Sequence, residues 1–154
     1  MIARAQQAIQ KEKVPNIQFD CKDIQEDDIG KDLYTHAFSR MGLMFFENPQ
    51  KAFNNIYQSV KEKGTLTFTC FQEPEKNLFQ ALAMKVLSQY VPLPKPAPGA
   101  PSPFSLADKN MVSSLLNSAG FRDLRFESLE KKVAIAKNKS KEEFVDIFSR
   151  ANPT

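Results

Sequence analysis

Asp23, Ser39 and the Cys70-Phe71 pair are the residues whose types and positions could carry chemistry. Each closes a stretch in which apolar and polar residues alternate, and open α/β sheets bind ligands beyond the carboxyl ends of their strands. A carboxylate at such an end can accept hydrogen bonds from an amine or hydroxyl, and a serine can donate as well as accept. A plainer reading stands beside this one: an aspartate after a strand is ordinarily a turn residue. His36 is the only histidine and the only candidate titrating near neutrality, but it falls within a strand-like stretch. No catalytic base is nominated. One histidine and two cysteines cannot build a site of several imidazoles or a structural zinc centre, and no metal is expected. Walker, G-x-S-x-G, H-E-x-x-H and G-x-G-x-x-G motifs are all absent.

The elements that must position these residues follow from periodicity. Residues 1–12 read as a helix with Ile2, Ala5 and Ile9 on one face. Pro15-Asn16 breaks it, and Ile17, Phe19 and Cys21 then alternate with polar neighbours as a strand would. An acidic loop over 23–32 leads to a second strand at 34–39. Asn48-Pro49 opens a helix carried by Ala52, Phe53, Ile56, Tyr57 and Val60 and ended by Gly64. Leu66, Phe68 and Cys70 alternate with threonines in the clearest strand, 65–71, and a helix follows over 75–90. Six of the ten prolines lie in 92–103, a stiff connecting segment. Ser105 and Asp108 resemble a capping box for a helix closed by Gly120, and Ser140 with Glu143 makes another. Residues 124–129 and 132–136 read as an antiparallel pair. Strands alternating with helices predict an α/β fold, mostly parallel with an antiparallel C-terminal strand pair.

Composition narrows the function. The 154 residues suit a single domain, 1–154. A net charge of +3 with scattered basic residues is too weak a footprint for nucleic acid. No run approaches a membrane span, and the polar opening helix is unlike a signal peptide, so a cytoplasmic location is expected. Both cysteines fall in strand-like alternations and are expected to be buried thiols.

The string Phe19-Asp20-Cys21-Lys22-Asp23, followed by Ala37-Phe38-Ser39-Arg40-Met41-Gly42-Leu43-Met44-Phe45-Phe46-Glu47-Asn48-Pro49, resembles class I S-adenosylmethionine-dependent methyltransferases of the small-molecule type. The resemblance continues through Ala52-Phe53-Asn54-Asn55-Ile56, Lys63-Gly64-Thr65-Leu66, Ser102-Pro103-Phe104-Ser105-Leu106-Ala107-Asp108 and Leu115-Leu116-Asn117-Ser118-Ala119-Gly120-Phe121. Two local departures stand out. Tyr34-Thr35 replaces a usual Phe-Asp, and the glycine pair before the third strand is reduced to Lys63-Gly64-Thr65.

The resemblance implies a Rossmann-like methyltransferase sheet and S-adenosyl-L-methionine as cofactor. By the same resemblance Asp23 would accept from the adenine amino group, Ile24 would present its backbone beside it, and Met1 and Ile2 would pack on the adenine face. Ser39 and Arg40 would line the methionine end, and Phe45, Phe104 and the proline-rich segment would border a small-molecule acceptor. Met1-Ile2-Ala3-Arg4-Ala5 matches a family segment that opens the helix after the second strand. The first strand, its glycine-rich loop, a helix and the second strand are therefore expected to be missing, and the isolated chain to be inactive. The other reading is a non-catalytic module. It would use an open sheet edge, or the Met/Phe-rich residues 41–46, to form a homodimer or bind a complementing chain.

Overall fold

The computed structural model describes residues 2–92, 100–132 and 138–151. They divide into two compact units, Met1–Leu124 and Arg125–Thr154. The first unit holds helix α1 (Ile2–Glu12), strand β1 (Tyr34–Arg40), helix α2 (Pro49–Ser59), strand β2 (Val60–Thr69), helix α3 (Leu78–Leu87) and helix α4 (Lys109–Ala119). The second holds helix α5 (Lys141–Ala151). This is an α/β chain whose described sheet is the parallel pair β1–β2, joined through α2. Among the described residues no helix is long and apolar enough to cross a membrane.

Local chemistry sets the helix ends. Asn48 caps α2, its side chain accepting from the Lys51 N–H at 3.0 Å, with Pro49 at the first helical position. The helix stops at Ser59 rather than at Gly64. Its last carbonyls, on Gln58 and Ser59, accept from the N–H groups of Asp32 and Leu33 at 2.9 Å each, drawing Val60 straight into the sheet. The register then jumps from Tyr34 opposite Val60 to His36 opposite Thr65, so residues 61–64 bulge out of β2. Lys63 sits in the left-handed region at φ 63°.

Asp108 itself caps α4, accepting from Asn110 N–H at 2.8 Å. The expected box headed by Ser105 does not form, because the Ser105 hydroxyl donates to the Met44 carbonyl instead. Gly120 closes α4 at φ 114° against the Tyr57 ring. In the second unit the Ser140–Glu143 box is complete: Ser140 N–H donates to the Glu143 carboxylate at 2.9 Å, and Glu143 N–H to the Ser140 hydroxyl at 3.2 Å.

Apolar residues of α2, β2, α4, the turn after β1 and the segment leading into α4 make the core: Phe53, Ile56, Val60, Val112, Leu116, Leu43, Met44 and Leu106. The 41–46 run thus spends Leu43 and Met44 on packing and leaves Met41 and Phe45 exposed. Helix α3, preceded by a 3₁₀ turn at Pro74–Lys76, begins later than its pattern implies and leaves Leu78 80% exposed.

Two expected strand regions carry no ladder. Residues 17–21 run without regular structure and Ile17 is exposed. A strand exists only through a partner's backbone groups, and β1 pairs with β2 alone among the described residues. Residues 124–129 likewise form no strand, and of their expected partner, residues 133–136 lie outside the described residues. Cys21 is exposed rather than buried, in keeping with the unpaired stretch that carries it.

Candidate functional site

The turn that follows residues 17–21 is built around Asp23. Its carboxylate accepts from Gln25 N–H at 2.8 Å, and its own N–H donates to the Asp27 carboxylate at 2.7 Å. Its carbonyl takes the Asp27 N–H at 2.8 Å and the Glu26 N–H at 3.1 Å. These bonds wind residues 23–27 into one tight turn that keeps the exposed Asp23 in place.

Helix α2 anchors that turn. The Asn55 amide donates to the carbonyls of Ile24 at 2.7 Å and Asp27 at 2.8 Å. Gln25 accepts from Asn48 N–H at 2.6 Å, and Lys51 pairs with Glu26 at 2.5 Å. Ile24 packs its half-buried side chain on the core. Asn48, Lys51 and Asn55 were missed by sequence reasoning, although their i, i+3, i+7 spacing places three polar groups along one face of a helix. Because α2 starts just beyond the carboxyl end of β1, this turn lies at the same end of the sheet as Ser39 and Arg40.

Beyond that end Met41 takes a left-handed conformation, φ 58°, while its N–H still donates to Thr69 O at 3.0 Å. Ser39 is half-buried and stands against Gly42, where a Cβ would come within 3.0 Å of its hydroxyl oxygen. Arg40 is exposed. The chain then enters a 3₁₀ turn, Leu43–Phe45, whose Met44 carbonyl accepts from the Ser105 hydroxyl and from Ser102 N–H.

Those bonds bring residues 102–106 over the carboxyl ends of both strands. Phe104 lies beside Phe71 at 6.0 Å between ring centroids, and Cys70 donates its S–H to Leu106 O at 3.4 Å. Phe45, on the tied turn, keeps its ring 54% exposed. The two aromatic candidates therefore belong to segments joined through Met44. Met1 lies outside the described residues, and Ile2 is half-buried on α1. His36, within β1, bonds to the Thr65 hydroxyl at 2.7 Å instead of reaching the strand end.

Burial pushes the Cys70 thiol above its ordinary pKa, which keeps it neutral and unreactive, whereas Cys21 is exposed. Alkylation by iodoacetamide at pH 8, followed by peptide mass spectrometry, should label Cys21 faster than Cys70 by at least about tenfold. Equal labelling would place the 102–106 segment away from β2.

This end of the sheet thus carries the exposed Asp23 turn, the exposed Phe45 ring and the packed Phe71–Phe104 pair, with Ser39 and Arg40 between Asp23 and Phe45 in the chain. Comparison with known proteins bears on what those groups are. Residues 1–68 match the family model described as a methyltransferase domain, a span running through α1, the Asp23 turn, β1, α2 and nearly all of β2. No curated protein matches the chain. Over this segment the chain is similar to methyltransferase domains, in keeping with the resemblance its motif string carries.

Proposed function

We propose that the chain carries the adenine side and the acceptor side of a methyl-transfer site for a small, largely apolar acceptor. The observation that carries this reading is the Asp23 turn, closed on itself and anchored to α2 by Asn48, Lys51 and Asn55. An exposed carboxylate held that firmly is an acceptor set ready for an exocyclic amine. Ile24 would present its backbone beside it, and by the family resemblance Met1 and Ile2 would pack on the purine face. The Arg40 guanidinium suits a carboxylate, and Ser39 an amine or carboxylate, at the methionine end.

When bound, S-adenosylmethionine supplies a methyl group on a sulfonium, open to direct displacement by an acceptor atom. The contribution of this chain is placement: Phe45, Phe71 and Phe104 present apolar surface to the acceptor at the carboxyl ends of the strands. No side chain here is assigned as a base. The described residues fit the two ends of the cofactor, and the ribose diol finds no acidic partner among the residues assigned to the site. That contact, with the glycine-rich loop and the central strands of a Rossmann-like sheet, we assign to polypeptide laid against the free edge of β1. A cytoplasmic location is proposed on composition. By itself the chain is expected to be inactive as a methyltransferase.

Calorimetry with S-adenosylhomocysteine tests the reading. Residual affinity near about 1 mM, some 4 kcal/mol, is expected, and Asp23→Ala should weaken it about tenfold. Absence of binding at millimolar ligand, or an Asp23→Ala variant that binds as the parent does, sinks the proposal. A second reading, favoured by the same unpaired edge, is a non-catalytic interaction module.

A further inference from the structure

The free edge of β1 has a definite chemistry. Leu33 N–H donates to Ser59 O and Met41 N–H to Thr69 O, so the odd-numbered residues of this stretch turn their backbone groups toward β2. Alternation then turns those of Tyr34, His36, Phe38 and Arg40 away from it. Among the described residues, no strand receives them. Natural edge strands are blunted by proline, lysine, inward charge or a bulge on the edge itself. The β1 sequence Tyr34-Thr35-His36-Ala37-Phe38-Ser39-Arg40 has no proline, lysine or acidic residue, and its bulge lies on the β2 side. Phe38 stands 71% exposed in the middle of it.

We infer that β1 pairs edge to edge with β1 of a second copy of this chain, antiparallel, with Ala37 on the two-fold axis. In this register all four outward-facing residues of each strand find backbone partners: Tyr34 lies opposite the second copy's Arg40, and His36 opposite its Phe38. The side-chain pairs are complementary, a guanidinium over a phenol ring and an imidazole against a phenyl. Thr35 and Ser39 meet on the other face, and the smallest side chain of the strand, Ala37, lies where the two cores approach. A register centred on residue 36 sets His36 on His36 and strands Arg40. One centred on residue 38 strands Tyr34. The occupant is thus a second copy because the strand is complementary to itself, and the result is a four-stranded sheet, β2-β1-β1-β2. The inference does not depend on cofactor binding, but it bears on it: the pairing occupies the edge on which the methyltransferase reading needs further strands, and holds the isolated chain out of that assembly.

Sedimentation of the whole chain should show a monomer–dimer equilibrium with a dissociation constant on the order of 10 μM, as befits a small interface. Phe38→Pro removes only an outward N–H and the exposed ring, and should leave a monomer at about 100 μM with unchanged circular dichroism. In a Cys21→Ser background, Ala37→Cys should form an intermolecular disulfide, since paired Cα atoms at a non-hydrogen-bonded position lie about 4.5 Å apart. Ser39→Cys, facing Thr35 of the second copy, should not. A parent chain monomeric at about 100 μM overturns the inference, as does a dimer that survives Phe38→Pro or cross-links equally through both cysteines. Should Phe38→Pro fail to fold, the cross-linking pair decides by itself. Calorimetry with S-adenosylhomocysteine is a separate readout, so loss of the dimer and loss of the cofactor site are told apart.

Discussion

Phe53→Ala should destabilise the first unit by about 3–5 kcal/mol, read as a fall in the urea midpoint. Phe53 is 1% exposed and sits in the core with Met44, Val112 and Leu116 around it. Its ring meets that of Phe68 at 5.9 Å between centroids, so the same side chain joins α2 to β2. Removing it deletes apolar burial and leaves a cavity bounded by two helices and a sheet that cannot all close on it. Domains of this size hold together by only about 5–15 kcal/mol, so most of that margin would go. Phe53→Leu, which keeps most of the volume, should cost markedly less. A loss under about 1 kcal/mol for the alanine variant would contradict the position of the core.

Gly64→Ala carries the second large effect, about 3 kcal/mol, from overlap with backbone rather than from an unusual dihedral. A Cβ at Gly64 would lie 2.7 Å from the Thr35 carbonyl oxygen, 2.9 Å from that of Lys61 and 2.4 Å from a Val60 methyl. The valine can rotate, but the two carbonyls belong to β1 and to the bulge, and moving them opens the ladder where its register jumps. The neighbouring position should respond in the opposite sense. Lys63 holds φ 63°, a conformation costing roughly 1–2 kcal/mol for a residue with a Cβ, so Lys63→Gly should stabilise by a fraction of that once the unfolded chain's added freedom is offset. Thermal denaturation of the two variants separates the effects. Similar shifts in both would mean that the bulge is not shaped as described.

Much of the fold is legible in the residues, for reasons that are local. Asn48-Pro49, the glycine after Ala119 and the Ser140–Glu143 spacing each satisfy helix-end groups within a few residues, and each appears where its pattern sets it. The alternation over 65–69 also becomes a strand, because β1 is there to receive it. What is not legible depends on partners distant in the chain. The alternation at 17–21 is as regular, but among the described residues no strand pairs with it. The end of α2 was set by Asp32 and Leu33, which claim its last carbonyls, and Gly64 serves the bulge instead of the helix end. Ser105 reads as a cap from spacing alone, yet a carbonyl sixty-one positions away, on Met44, takes its proton.

The candidate site divides in the same way. Asp23 and Ser39 stand out because they close predicted strands, and Arg40 and Phe104 through their places in the family string. What fixes Asp23 is hidden, because Asn48 and Asn55 look like a cap and a solvent-facing helix residue until the turn is set on them.

Anchoring of the 23–27 turn by α2 also bears on how sequence change in this protein is to be read. Asn55 is a half-buried polar residue of α2, outside the apolar core, yet its amide serves two carbonyls of a segment about thirty residues earlier. Under the proposed function, selection for purine recognition would fall on that helix position as heavily as on Asp23. A lineage that had given up the recognition would lose Asn55 and Asp23 together, while Phe53, one helical turn's neighbour, stayed unchanged to hold the core.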